Sequence, residues 1–104
     1  MRYSGDYMNI WDDRILEILE DEGPLPVGKL ANHKAIHTSK STISRRCRKL
    51  AEKGLLQKIG NGVYSISDIG LAYLDGEYDA EAEEFIEDPS TYDFESSEQE
   101  ANGA

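Results

Sequence analysis

A mainly α-helical domain with one small β-hairpin is the fold this sequence predicts. Three observations predict it. Apolar residues recur at helical spacing in three separate stretches of a 104-residue chain. Two short β-prone runs flank a Gly60-Asn61-Gly62 turn. Side chains suited to helix starts, Asn9, Ser39 and Ser67, stand ahead of apolar stretches. The length suits a single core.

The elements follow in order. Residues 1–8 read as a flexible leader. Asn9 is an N-cap, with Asp12 three residues on and Asp13 beside it, both suited to the positive end of a helix. Trp11, Ile15, Ile18 and Leu19 then give helix 1 over 10–22, stopped by Gly23-Pro24. Leu25, between two prolines, is extended. Helix 2 begins at Pro26 or Val27 and buries Val27, Leu30 and Ala31. The stretch 33–38 has no clear period, with Ile36 pointing inward. Ser39 caps helix 3 over 40–53, whose inner stripe is Ile43, Cys47, Leu50 and Ala51 and whose end is Gly54. Runs 55–59 and 63–67 form the hairpin. Ser67 caps a last helix ending near Gly76, a short further helix is expected over 80–87, and 88–104 reads as a disordered acidic tail. Helix, extended piece, helix, helix, hairpin, helix is the order of a winged helix-turn-helix: a three-helix core plus wing and C-terminal helix. The domain is expected to span 9–87.

Charge is segregated. The formal net charge of −10 divides into −5 over residues 1–28, +8 over 29–58 and −13 over 59–104. Such asymmetry points to a polyanion partner at one face. The acidic remainder suits a cytoplasm of very high salt, where a Debye length of about 3 Å at 1 M hides distant carboxylates from a bound polyanion.

Helix 3 carries the chemistry. Stepping 100° per residue from Ile43 puts Ser41 and Arg45 near the opposite side, flanked by Arg48 and Lys49. Lys40, Ser41, Thr42, Ser44 and Arg45 are the expected base contacts, because N-terminal residues of a recognition helix reach groove edges. Lys34, Arg48 and Lys49 are expected at phosphates, joined from the wing by Lys58 and Asn61. Arg46 lies nearer the core side and is read as covering the domain. Double-stranded DNA is thus the expected partner.

Several strings look like winged-helix transcriptional regulators. They are Asp12-Asp13-Arg14-Ile15-Leu16-Glu17, Ser41-Thr42-Ile43-Ser44-Arg45-Arg46, Gly54-Leu55-Leu56 and Gly62-Val63-Tyr64-Ser65-Ile66-Ser67-Asp68-Ile69-Gly70. Together with Ala72-Tyr73-Leu74-Asp75-Gly76 they most resemble the haloarchaeal phage-repressor-like family, over about residues 9–80. The resemblance implies repression or regulation of transcription through operator DNA, commonly as a dimer, with Ser41, Thr42, Ser44 and Arg45 in the groove. Two departures stand out: Ala31 to Ser39 is longer than the usual spacing, and Thr38 replaces an apolar residue before the cap.

Other features carry blander readings. Cys47, the one cysteine, excludes a disulfide framework and reads as a small core hydrophobe. His33 and His37 have i, i+4 spacing, but no third ligand follows, so neither metal nor cofactor is expected. The acid pairs Asp12-Asp13 and Glu83-Glu84 read as surface and capping groups. No nucleophile elbow, phosphate-cradling loop or zinc motif is present, so no enzyme is expected. No apolar run approaches a membrane span and the first residues lack signal-peptide character, so a cytoplasmic location is expected. A homodimer is expected, with Tyr3, Tyr7, Trp11 and the region 74–86 as contact candidates. The alternative is a protein-interaction module whose acidic segment 75–100 docks a basic partner or masks the chain's own basic face.

Overall fold

Helix α1 (Ile10–Glu22) starts where its first amides find partners. Asn9 Oδ1 accepts from the Trp11 and Asp12 amides at 2.9 and 3.3 Å, and Asp12 Oδ2 accepts the Asn9 amide at 3.1 Å. This reciprocal capping box satisfies donors that the helix leaves orphaned. The helix buries Ile15, Leu16, Ile18 and Leu19 on one side and ends at Gly23, whose φ of 82° suits glycine. The protein's structure, a computed structural model, describes residues 1–86. The acidic tail expected over 88–104 lies outside the described residues.

The remaining order is β1 (Leu25–Pro26), α2 (Val27–Ala31), α3 (Lys40–Glu52), β2 (Leu56–Gly60), β3 (Val63–Ile66), α4 (Asp68–Leu74), β4 (Tyr78–Asp79) and β5 (Glu84–Phe85). Strands β1, β3 and β2 form an antiparallel sheet with β3 in the middle, and register Leu25 and Lys58 against the two sides of Tyr64. Within the wing turn Gly62 takes the left-handed region, at φ 69°. Helices α1, α2 and α3 and the sheet enclose Ile15, Leu16, Leu30, Ile43, Leu50 and Leu55, each 0% exposed. Burying each such side chain contributes about 1.5–3 kcal/mol. Ser67 Oγ caps α4 by accepting the Gly70 amide at 3.0 Å and donates to the Gly54 carbonyl at 2.6 Å. That pull brings α4 so close that a Cβ at Gly70 would sit 2.4 Å from the Leu55 carbonyl oxygen. Among the described residues no helix is long and apolar enough to cross a membrane.

Two expectations need correction. Residues 1–8 are not a loose leader. Arg2 donates to Glu17 at 2.7 Å, the Tyr3 carbonyl accepts the Ala80 amide at 2.8 Å, and the Asp6 amide donates to Glu81 at 2.6 Å. The Ser4 hydroxyl meets Tyr73 Oη at 2.7 Å, and Tyr73 donates to Asp13 at 2.7 Å. Tyr3 and Tyr7, read as dimer contacts, are engaged within the chain itself.

In place of the helix expected over 80–87, of which Glu87 lies outside the described residues, stands the β4–β5 hairpin. Tyr78 and Ala80 are buried around a less buried Asp79, a strand period of two. Tyr78 and Phe85 pair across the strands edge to face, with ring centroids 5.2 Å apart. The Asp79 carboxylate accepts the Glu81 and Ala82 amides at 3.0 and 3.1 Å and shapes the turn. A helix there would have stacked Glu83, Glu84 and Glu87 at repulsive i, i+3 and i, i+4 spacings.

Beside the charged Asp12, the interior holds a thiol and phenols whose burial favours their neutral forms. Burial pushes the Cys47 thiol up to about 12 and the Tyr7 phenol up to about 12, and it also raises Tyr73. The Cys47 thiol is therefore expected to resist a disulfide reagent such as dithionitrobenzoate at pH 8 in the folded chain and to react in urea; rapid reaction of the folded protein would show an open thiol. These groups also set an alkaline limit. Above pH about 9 the unfolded chain gives up the thiol proton while the folded chain keeps it, so stability falls as pH rises toward about 12. Urea midpoints followed by circular dichroism at pH 7, 9 and 10.5 should decline in that order.

Candidate nucleic-acid interface

Helix α3 is fixed at its start by Ser39, whose Oγ accepts the Thr42 amide at 3.1 Å and donates to Thr42 Oγ1 at 3.0 Å. Its inner stripe of Ile43, Cys47 and Leu50 is 0% exposed. The opposite side presents Lys40, Ser41, Arg45 and Arg48 to solvent, with Thr42, Ser44 and Lys49 half-buried between them. Hydroxyls steer the guanidinium groups. Arg45 donates to Ser41 Oγ at 2.9 Å and Thr42 Oγ1 at 3.4 Å, and Arg48 donates to Ser44 Oγ at 2.9 Å. These i−3 and i−4 contacts lay both arginines along the helix toward its N-terminus. A hydroxyl orients a guanidinium without neutralising it, so the charge stays available to an anion.

The division of cations is sharp. Four of the eleven Lys and Arg residues, Arg2, Arg14, Arg46 and Lys53, sit within 4.0 Å of a carboxylate. Among the described residues the other seven, Lys29, Lys34, Lys40, Arg45, Arg48, Lys49 and Lys58, have no such ion pair. All seven fall in the basic block of 29–58. The cations in ion pairs thus lie both inside and outside that block, and those without one lie wholly within it.

The other expected site residues come from neighbouring elements. Lys34 is exposed in the connection between α2 and α3. That connection is long because α2 stops at Ala31 and a tight bend follows. The His33 amide donates to the Leu30 carbonyl at 3.1 Å and the Ile36 amide to the His33 carbonyl at 2.9 Å. His33 Nδ1 accepts the Ala35 amide at 3.0 Å, and Nε2 meets Glu22 at 2.7 Å. His33 and His37 therefore do not share a helix face. Lys58 is exposed on β2, two residues after buried Leu56 and opposite buried Tyr64. Asn61 is exposed at the wing tip. The five expected base contacts thus lie on one helix, while Lys34 lies in the connection before it and Lys58 and Asn61 on the wing.

Sequence reasoning passed over the most buried ion pair. Arg46 Nε and Nη2 grip Asp12 Oδ1 and Oδ2 at 2.8 and 2.6 Å, and Asp12 is 0% exposed. Nη2 also donates to the Tyr7 carbonyl. Asp12 is thus a buried anchor as well as the expected cap, and its link raises the pKa of the Arg46 guanidinium. The available signal was the flank position of Arg46, between the apolar stripe and the open front. Cys47 lies on the core stripe, as the sequence indicated.

Comparison with known proteins places this geometry. Residues 1–86 match the family model described as winged helix-turn-helix phage repressor. Among solved structures, the crystal structure of the PhiH1 repressor-like protein from Haloarcula marismortui is similar at 53% sequence identity and a TM-score of 0.81, covering 83% of this chain and 98% of that one. A comparison with curated proteins finds no match. With four helices and an antiparallel wing among the described residues and a matching family model over most of its length, this chain belongs to the winged helix-turn-helix phage repressor family.

Proposed function

We propose that the protein is a sequence-specific, double-stranded DNA-binding transcriptional repressor that lays α3 in the major groove. One observation carries this reading: the open face of α3 bears cations that hydroxyls orient and no described carboxylate neutralises. An α-helix about 10–12 Å across fits a groove about 12 Å wide. Lys40, Ser41, Thr42, Ser44 and Arg45 read base edges, with Arg45 a candidate for a bidentate contact to guanine. Lys34, Arg48, Lys49, Lys58 and Asn61 hold the phosphates on either side. The global charge of −10 does not oppose this. Attraction is set by the nearest charges, and salt screens the distant acidic surface within about 10 Å at 0.1 M and about 3 Å at 1 M.

As a dimer the protein would read a near-palindromic site, with half-sites about 10 base pairs apart. Phe85, 58% exposed, is the side chain of the 74–86 region best suited to contact between them. The protein would act where DNA is, in the cytoplasm, with no cofactor.

Selection of bound duplexes from a random pool at high potassium chloride gives the operator, and two variants then test the assignment. Arg45→Ala should lose about 1–3 kcal/mol of discrimination at one base position. Arg48→Ala should weaken all duplexes alike and lower the slope of log K against log salt by about 0.9. Unchanged affinity of both variants at matched salt would remove α3 from the interface.

A further inference from the structure

The front of α3 is open, and its back is held with unusual directionality. Apolar contact through Ile43, Cys47 and Leu50 resists separation of the helix from the core. It resists a small rotation or slide poorly, because the hydrophobic effect has no preferred direction. Two flank residues supply direction. Arg46 grips both oxygens of Asp12, at 2.8 and 2.6 Å, and donates a further bond to the Tyr7 carbonyl. A planar fork on a carboxylate tolerates little rotation. Asp12 cannot follow a moving α3, because its Oδ2 also accepts the Asn9 amide at 3.1 Å within the capping box of α1. Seven residues on, Lys53 lies 5.1 Å from the centroid of the Tyr7 ring and 3.3 Å from Glu83. Tyr7 therefore takes side chains from two positions about two turns apart, Arg46 within α3 and Lys53 at its C-cap.

We propose that Asp12, Arg46 and Tyr7 are positioning residues for DNA recognition, which set the rotation of α3 in the groove without touching nucleic acid. The inference rests on the reading of α3 as the groove-binding helix. It separates Arg46 from its neighbours: Arg45 and Arg48 spend their charge outward, whereas Arg46 spends its charge on a carboxylate that no solvent reaches. A rotation of α3 would carry Arg45 and Ser41 off the base edges while leaving the number of available cations unchanged. Specificity would then fall and the electrostatic contribution would stay.

The test uses the full chain. Arg46→Met keeps the apolar stem and removes the fork, but it strands a buried carboxylate. The double variant Asp12→Asn with Arg46→Met therefore accompanies it, since asparagine keeps the capping oxygen without the charge. Both are measured where circular dichroism shows them folded. The readout is the ratio of affinity for the selected duplex to that for a scrambled duplex of equal length. It should fall roughly tenfold or more, the scale of one lost base contact, with the salt slope unchanged. Arg14→Met, which breaks only the exposed contact with Glu17, should keep the ratio. A second readout needs no DNA: the distance between spin labels at Glu20→Cys on α1 and Glu52→Cys on α3 should broaden or shift in the double variant. A folded double variant that keeps the full ratio overturns the inference. So does a slope lower by about 0.9, which would make Arg46 a phosphate contact. A wild-type chain that prefers no duplex removes the DNA reading and this inference with it, whereas an unaltered label distance beside a clear wild-type preference removes this inference alone.

Discussion

One buried carboxylate ties the structure together. Asp12 lies in the first turn of α1, yet its two oxygens serve the Asn9 amide, the Arg46 guanidinium and, through Arg46, the Tyr7 carbonyl. Removing a charge from water is expensive, and a pair like this is weak evidence of net stability. Its value lies in geometry. The same oxygens that start one helix orient another, so the start of α1 and the middle of α3 cannot move independently. Breaking one partner would leave a charge in a site with no water to receive it, a loss of about 3–5 kcal/mol.

Around that anchor the protein keeps two populations of charge apart. Carboxylates outnumber cations by 21 to 11, and four of the cations are used within the fold. The rest are concentrated on the stretch from α2 through the wing. The arrangement lets one chain be strongly anionic as a whole and cationic where a polyanion would land. It also explains why hydroxyl residues stand between the arginines of α3. Ser41, Thr42 and Ser44 hold the guanidinium groups in place as carboxylates would, without cancelling them.

Much of this was legible in the sequence because the signals were local. Asn9, Ser39 and Ser67 mark helix starts through contacts two or three residues away, and the Gly60-Asn61-Gly62 turn marks the wing. Periodicity alone placed Ile43, Cys47 and Leu50 inside and Arg45 outside. What escaped depends on partners far along the chain. Arg46 finds Asp12 across 34 residues, Tyr73 finds Asp13 across 60, and the Arg2 side chain finds the Leu74 carbonyl across 72. No pattern of neighbours encodes such pairings. The 78–85 hairpin was missed for another reason: its run of glutamates resembles an exposed helix face, and only the burial of Tyr78 and Ala80 shows the alternation.

The pinned leader has a consequence for how the molecule is made. The Asp6 amide meets Glu81 across 75 residues, and Tyr3 bridges to Asp79. A chain emerging from the ribosome can form the capping box of α1 at once, and α3 can pack as soon as it is synthesised. The Asp6 and Tyr3 contacts must wait until the last hairpin has been synthesised, and closing so long a loop carries an entropic cost that local contacts do not. The contacts between residues 1–8 and the last hairpin are thus among the last in the domain to form, and the bracing behind α3, which includes Lys53 on Glu83, is complete only when nearly the whole domain exists.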